Sequence, residues 1–176
     1  MTIEERLEKL ETELAKTKTG LATAIRARQF IIVDAKGEPR AMLGMTEDGT
    51  ILALSDENGM NRIRLSVFKD GPGLRISDEK GQTRARLVVL KDGPALSLSD
   101  ANDKGRAGLM VTEDGAVLSL CDENSKTRIG LGMFKDGPVL ALSDENGKNH
   151  VRLEVLKAGA TLRLWDEKGK RIWSAP

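Results

Sequence analysis

The amino-acid sequence predicts an all-β repeat domain of 22-residue, two-stranded repeats behind a short N-terminal coiled-coil helix. Three observations carry this. One aspartate recurs at Asp34, Asp56, Asp78, Asp100, Asp122, Asp144 and Asp166, each step being 22 residues with no insertion or deletion. Within every copy, two short runs alternate apolar with other residues at a period of two, the pattern of half-buried strands. Each run ends in residues that reverse a chain, so a copy holds two strands and two turns and has no room for a helix. The divisions are residues 1–28 for the helix and 29–176 for the repeats, about six and a half copies.

The helix starts at a capping box, Thr2 followed three residues later by Glu5. Ile3, Leu7, Leu10, Leu14, Thr17, Leu21 and Ala24 then fall at alternating gaps of four and three, a heptad seam flanked by Glu and Lys. Gly20 costs about 1 kcal/mol inside a helix, so the helix is expected to end between there and Arg26. A lone helix of this length is marginal in water. A narrow seam calls for copies of itself more than for the flank of a sheet, although folding back onto the repeats is the other way to cover it.

The first strand of each copy is short, with Leu52/Leu54, Leu74/Ile76, Leu96/Leu98, Leu118/Leu120, Leu140/Leu142 and Leu162/Leu164 on one face. The second is longer, with Ala41/Leu43/Met45, Ile63/Leu65/Val67, Ala85/Leu87/Val89, Ala107/Leu109/Val111, Ile129/Leu131/Met133 and Val151/Leu153/Val155 on the same face. Asp56-Glu57-Asn58-Gly59 and its kin read as type I turns with a bulge, glycine supplying the positive φ. Asp70-Gly71-Pro72 and its kin read as tight hairpins, with the proline nitrogen at a strand start or outside the ladder. Two architectures fit: a hairpin meander, or a β-solenoid of one coil per copy. Two reversal turns per copy favour the meander.

The apolar face then sets the assembly. About twelve strands spaced ~4.8 Å make a sheet roughly 58 Å long, and a face about 20 Å wide carries some ~1,100 Å² of apolar surface. Monomers rarely expose more than a few hundred. With no second helix to cover it, the face calls for another copy of the sheet or for closure on itself. The expected form is a homotrimer whose three sheets enclose a β-prism.

Composition narrows the function. Lys plus Arg number 28 and Asp plus Glu 27, a balance that gives no electrostatic case for nucleic acid or an anionic membrane. Five aromatic residues, Phe30, Phe68, Phe134, Trp165 and Trp173, provide no recurring stacking platform. Cys121, the one cysteine, stands in a serine column and has no intrachain partner. The acidic start is not a signal peptide, and no run approaches the ~20 apolar residues of a spanning helix.

The conspicuous polar residues belong to columns. Asp56, Glu57 and Asn58, with Asp144, Glu145 and Asn146, invite a calcium reading. Calcium wants six to eight oxygens in a cage, yet Lys80 and Lys168 take the asparagine position in other copies, so turn chemistry is the better reading. Arg40, Arg62, Arg84, Arg106, Arg128 and His150 follow each aspartate by six residues and are placed to pair with it across the turn. His150 is the one histidine, and no nucleophile motif, phosphate loop or zinc spacing accompanies it. No catalytic, cofactor or metal residue is therefore assigned, and the chain is read as non-enzymatic. Trp165 and Trp173 break the repeat in the last copy, where a stack is capped. Phe68, Val88, Leu90, Met110, Phe134 and Leu156 give the opposite face some bulk, read as local packing or as a lateral contact strip.

The string Ile25-Arg26-Ala27-Arg28-Gln29-Phe30, the Leu-x-Leu-Ser-Asp-Glu-Asn-Gly and Lys-Asp-Gly-Pro copies, the start from Glu4 to Glu11 and the end Trp173-Ser174-Ala175-Pro176 resemble a group of uncharacterised bacterial repeat proteins. The resemblance covers nearly the whole chain and implies no known activity. Such proteins often place a membrane-spanning segment between helix and repeats, where this chain has only Lys16 to Ala24. The expected function is that of a structural or scaffold protein forming an oligomeric β rod. The alternatives are a cell-surface or phage-fibre-like binding module and, more remotely, a calcium-binding β-solenoid.

Overall fold

The computed structural model describes residues 1–18 and 26–175. Helix α1 (Ile3–Lys18) opens with the expected capping box: the Glu5 carboxylate accepts from the Thr2 backbone N–H at 2.7 Å, and the Glu5 N–H donates to the Thr2 hydroxyl at 3.2 Å. Ile3, Leu7, Leu10 and Leu14 are all exposed, and no described strand contacts the helix. Leu21 and Ala24 of the seam, and the expected helix end beyond Gly20, lie outside the described residues.

Fourteen strands follow: β1 (Gln29–Val33), β2 (Pro39–Thr46), β3 (Gly49–Ser55), β4 (Asn61–Phe68), β5 (Gly71–Ser77), β6 (Thr83–Leu90), β7 (Gly93–Ser99), β8 (Gly105–Thr112), β9 (Gly115–Cys121), β10 (Thr127–Phe134), β11 (Gly137–Ser143), β12 (Asn149–Leu156), β13 (Gly159–Trp165) and β14 (Arg171–Ala175). They form one antiparallel sheet in strictly sequential order. The meander is therefore the architecture, and the solenoid is not: each strand hydrogen-bonds to its neighbours in sequence, and β1 and β14 are two free edges. Short reversal turns allow nothing else, because a coil would need connections that carry the chain onward instead of back. The two strands beyond the expected twelve are the half-copies at the ends.

Both turn types build as their residues dictate. In the first, Gly59 lies at φ 79° and donates to the Asp56 carbonyl at 3.0 Å, while Asp56 N–H reaches the Met60 carbonyl at 3.0 Å. The ladder shifts by one residue between Leu54 and Ser55, the expected bulge. Copies without that glycine put Asp103 and Ser125 in the same left-handed conformation, at φ 58° and 61°. In the second turn the loop is Lys69-Asp70, and Gly71 already pairs with Phe68 as the first residue of β5. The glycine thus opens a strand instead of sitting at a loop centre.

Proline shapes the ladder beside that turn. Where Thr50 or Ala116 holds the position, pairing to the following hairpin extends to the turn, through Gly49–Phe68 and Gly115–Phe134. Where Pro72, Pro94 or Pro138 holds it, that pairing begins two residues later, at Gly73, Ala95 and Val139. The missing proline N–H is the cause.

Candidate functional site

Register turns the sequence columns into rows across the sheet. Leu43, Leu52, Leu65, Leu74, Leu87, Leu96, Leu109, Leu118, Leu131, Leu140, Leu153 and Leu162 are paired one to the next without a break over twelve strands. A second row beside it runs from Ala41 through Leu54, Ile63 and Ile76 to Leu164, and ends on Trp173 of the edge strand β14. On the other flank lies the Met45, Thr50, Val67, Pro72, Val89 row.

This face was expected to need cover from another copy or from closure of the sheet on itself, and in the single chain the sheet is open and the face uncovered. Leu43, Leu65, Leu87, Leu109, Leu131 and Leu153 are each 42–50% exposed. The side chains removed from solvent lie on the opposite face, where Ile51 and Ala53 are 5% and 3% exposed. Long side chains on that face, Met42 and Arg64, stand on the two strands beside Ala53 and shield it. A single-layer sheet has no other way to bury a residue.

The aspartate column is a set of completed hydrogen-bonding sites. Asp56 Oδ1 accepts from the backbone N–H of Asn58 and of Met60, both at 3.0 Å, and Oδ2 meets Arg62 Nη1 at 3.1 Å. Asp34, Asp78, Asp100, Asp122 and Asp144 repeat this with Arg40, Arg84, Arg106, Arg128 and His150. Each of these six carboxyls is held below its ordinary value of 3.8. In Asp56, partial burial pushes upward, and the N–H of Met60 and the guanidinium of Arg62 outweigh it. In Asp34 the Arg40 hydrogen bond leads. The carboxylate oxygens face backbone donors and a cation, an arrangement with none of the converging oxygens a calcium ion needs. Among the described residues no group of three His, Cys, Asp or Glu is placed to hold a metal.

The arginine column does more than pair across its own turn. Arg62 Nε donates to the Ser77 carbonyl at 3.0 Å, Arg84 to Ser99 at 2.9 Å and Arg128 to Ser143 at 2.8 Å. Each guanidinium therefore ties one hairpin to the next, a contact between residues 15 apart. His150 keeps both roles, Nε2 at 3.1 Å from Asp144 and Nδ1 at 3.2 Å from the Trp165 carbonyl. Cys121 likewise fills its column: its sulfur lies 3.7 Å from the Thr127 hydroxyl, where Ser55 and Ser143 meet Asn61 and Asn149.

The sequence places Arg64, Ser66, Arg86, Arg152 and Glu154 on the opposite face, and the register joins them into two polar features. Glu154, 5% exposed, accepts from Arg152 Nε and Arg163 Nη1, both at 2.7 Å, with Thr161 at 3.4 Å. Arg64, Arg75 and Arg86 stand directly opposite one another on β4, β5 and β6. The signal was present as arginines on consecutive strands, but it needs the register to become a cluster.

No protein-family model and no curated protein matches the chain. Among the described residues, no helix is long and apolar enough to cross a membrane.

Proposed function

We propose that the chain is a non-enzymatic structural element that assembles with two copies of itself into a rod, three sheets packing their leucine rows around a common axis. The observation that carries this is the uninterrupted leucine row, with the six leucines of its longer strands 42–50% exposed. Burying what is left of each leucine stabilises by about 1–2 kcal/mol. Twelve such residues per chain outweigh an association cost of about 4–15 kcal/mol.

Three copies suit the dimensions. Strands of seven residues span about 24 Å, and a triangle of that side sets each backbone about 7 Å from the axis, the reach of a leucine. The central row then fills the axis, and each flanking row meets a different neighbour. The exposed seam of α1 supports the same reading, because a parallel coiled coil holds identical chains in axial register.

Light scattering at micromolar concentration is expected to give three times 19.1 kDa. Leu87→Arg, in the middle of the row, is expected to abolish that species. A 19.1 kDa wild-type particle, or a trimer indifferent to Leu87→Arg, would remove the reading.

A further inference from the structure

The repeat provides an internal comparison on the face opposite the leucines. Four copies, or 88 residues, separate Arg64, Ser66 and Arg75 from Arg152, Glu154 and Arg163. In the later copy, Arg152 and Arg163 face each other across β12 and β13, and the Glu154 carboxylate bridges them. In the earlier copy Arg64 and Arg75 face each other in the same way across β4 and β5, and Ser66 stands in place of the glutamate. A third guanidinium, Arg86, lies opposite Arg75 on β6, where the later copy has Ser174.

Like charges directly opposite each other destabilise a sheet, and among the described residues no ion pair relieves these: no carboxylate pairs with Arg64, Arg75 or Arg86. The Nε of Arg64 is shut off from solvent with no acceptor, its guanidinium resting 5.6 Å from the centre of the Phe68 ring. The three arginines open onto a cavity of about 290 Å³. Phe68, Val88 and Leu90 supply its apolar wall, and Asp70 stands on its lining without an ion pair to any of them.

We propose that this cavity binds an oxyanion, a carboxylate or phosphate carried on a small apolar body, with the anion in the place that the Glu154 side chain takes in the later copy. Guanidinium forks match either group in bidentate fashion, and the cavity size suits a small molecule. The face lies away from the leucine rows, so the inference does not rest on the assembly proposed above.

Calorimetric titration of the full chain with phenyl phosphate, with benzoate and with phenol tests it. Saturable binding of either anion, and none of phenol, is expected. The tighter of the two identifies the group as phosphate or carboxylate. Ser66→Glu restores the internal carboxylate of the later copy and is expected to weaken binding at least ten-fold while keeping the strand signal in circular dichroism. Arg75→Gln is expected to weaken binding by a similar factor and to melt no lower than wild type, since it relieves two repulsions. Absence of saturable heat with both anions at about 10 mM ligand, where a site of millimolar Kd would be mostly filled, overturns the proposal. Equal binding of phenol, or unchanged affinity in folded Ser66→Glu, also overturns it.

Discussion

Glu154 shows how one side chain can settle a local conflict. Without its carboxylate, Arg152 and Arg163 face each other across two strands with like charge. The arginines are about one-third exposed and can swing toward water, so loss of the bridge costs less than the roughly 3–5 kcal/mol of a fully buried pair. Glu154→Ala is expected to destabilise by about 1–2 kcal/mol, read as a shift in denaturant midpoint at constant slope. No shift in midpoint would mean that the bridge is idle. The aspartate column makes a prediction of opposite kind, spread over six sites. Their folded carboxyls lie below 3.8, so between the two values the unfolded chain binds protons that the folded chain refuses. The stability they give is complete above the unfolded value and is lost as pH falls through the folded ones. The melting temperature should stay level from pH 7 to about 5 and fall below about 4. A melt unchanged at pH 2.5 would remove the aspartates as a source of stability. At this scale the sequence told only half of the story. The Asp–Arg pairing was legible because both residues belong to one turn. The arginine bond to the next hairpin was not, because it depends on which carbonyl the register brings alongside.

The hairpin is the element that repeats, and its turns are its most constrained parts. Gly93 has φ 126°, and a Cβ there would overlap the Val111 carbonyl oxygen of the following hairpin. Gly159 has nearly the same φ, 124°, with nothing near its missing side chain, because only the short β14 follows. Two costs that usually come together are thus separated. Gly159→Ala meets the backbone strain alone, about 1–3 kcal/mol. Gly93→Ala meets that strain and the overlap, and is expected to lose at least about 1 kcal/mol more in chemical denaturation. Equal losses would show that the hairpins are not held as closely as the register implies. Strands and turns were readable from period-two alternation and from the Asp-Gly signals, since both are local. Which residues would be buried was not local. Alternation and the lack of covering helices already left the apolar face open, and only the third dimension shows that Ile51 and Ala53 on the other face are covered.

At the scale of the molecule, every strand contacts only its neighbours in sequence, so the sheet is close to one-dimensional. Each copy brings its own aspartate and two members of the leucine row, and Arg40, Arg62, Arg84, Arg128 and His150 each tie their hairpin to the next. Removal of residues 79–100 deletes one copy, 22 residues, and joins Asp78 to Ala101 as Asp100 is joined now. The turn keeps its leading aspartate, the side-chain faces keep their parity, and Leu74 comes to lie opposite Leu109. The shortened chain is expected to keep the assembly's stoichiometry, with the rod two strands, or about 10 Å, shorter in small-angle scattering. Insertion of one residue inside β7 is expected to do the reverse. It turns half of that strand's side chains to the other face and breaks the leucine row at its middle while changing the length hardly at all. If the assembly survives the insertion and fails on the deletion, its contacts lie elsewhere than along the row. If it survives the deletion and fails on the insertion, the continuity of the leucines, more than the number of copies, is what holds the rod together.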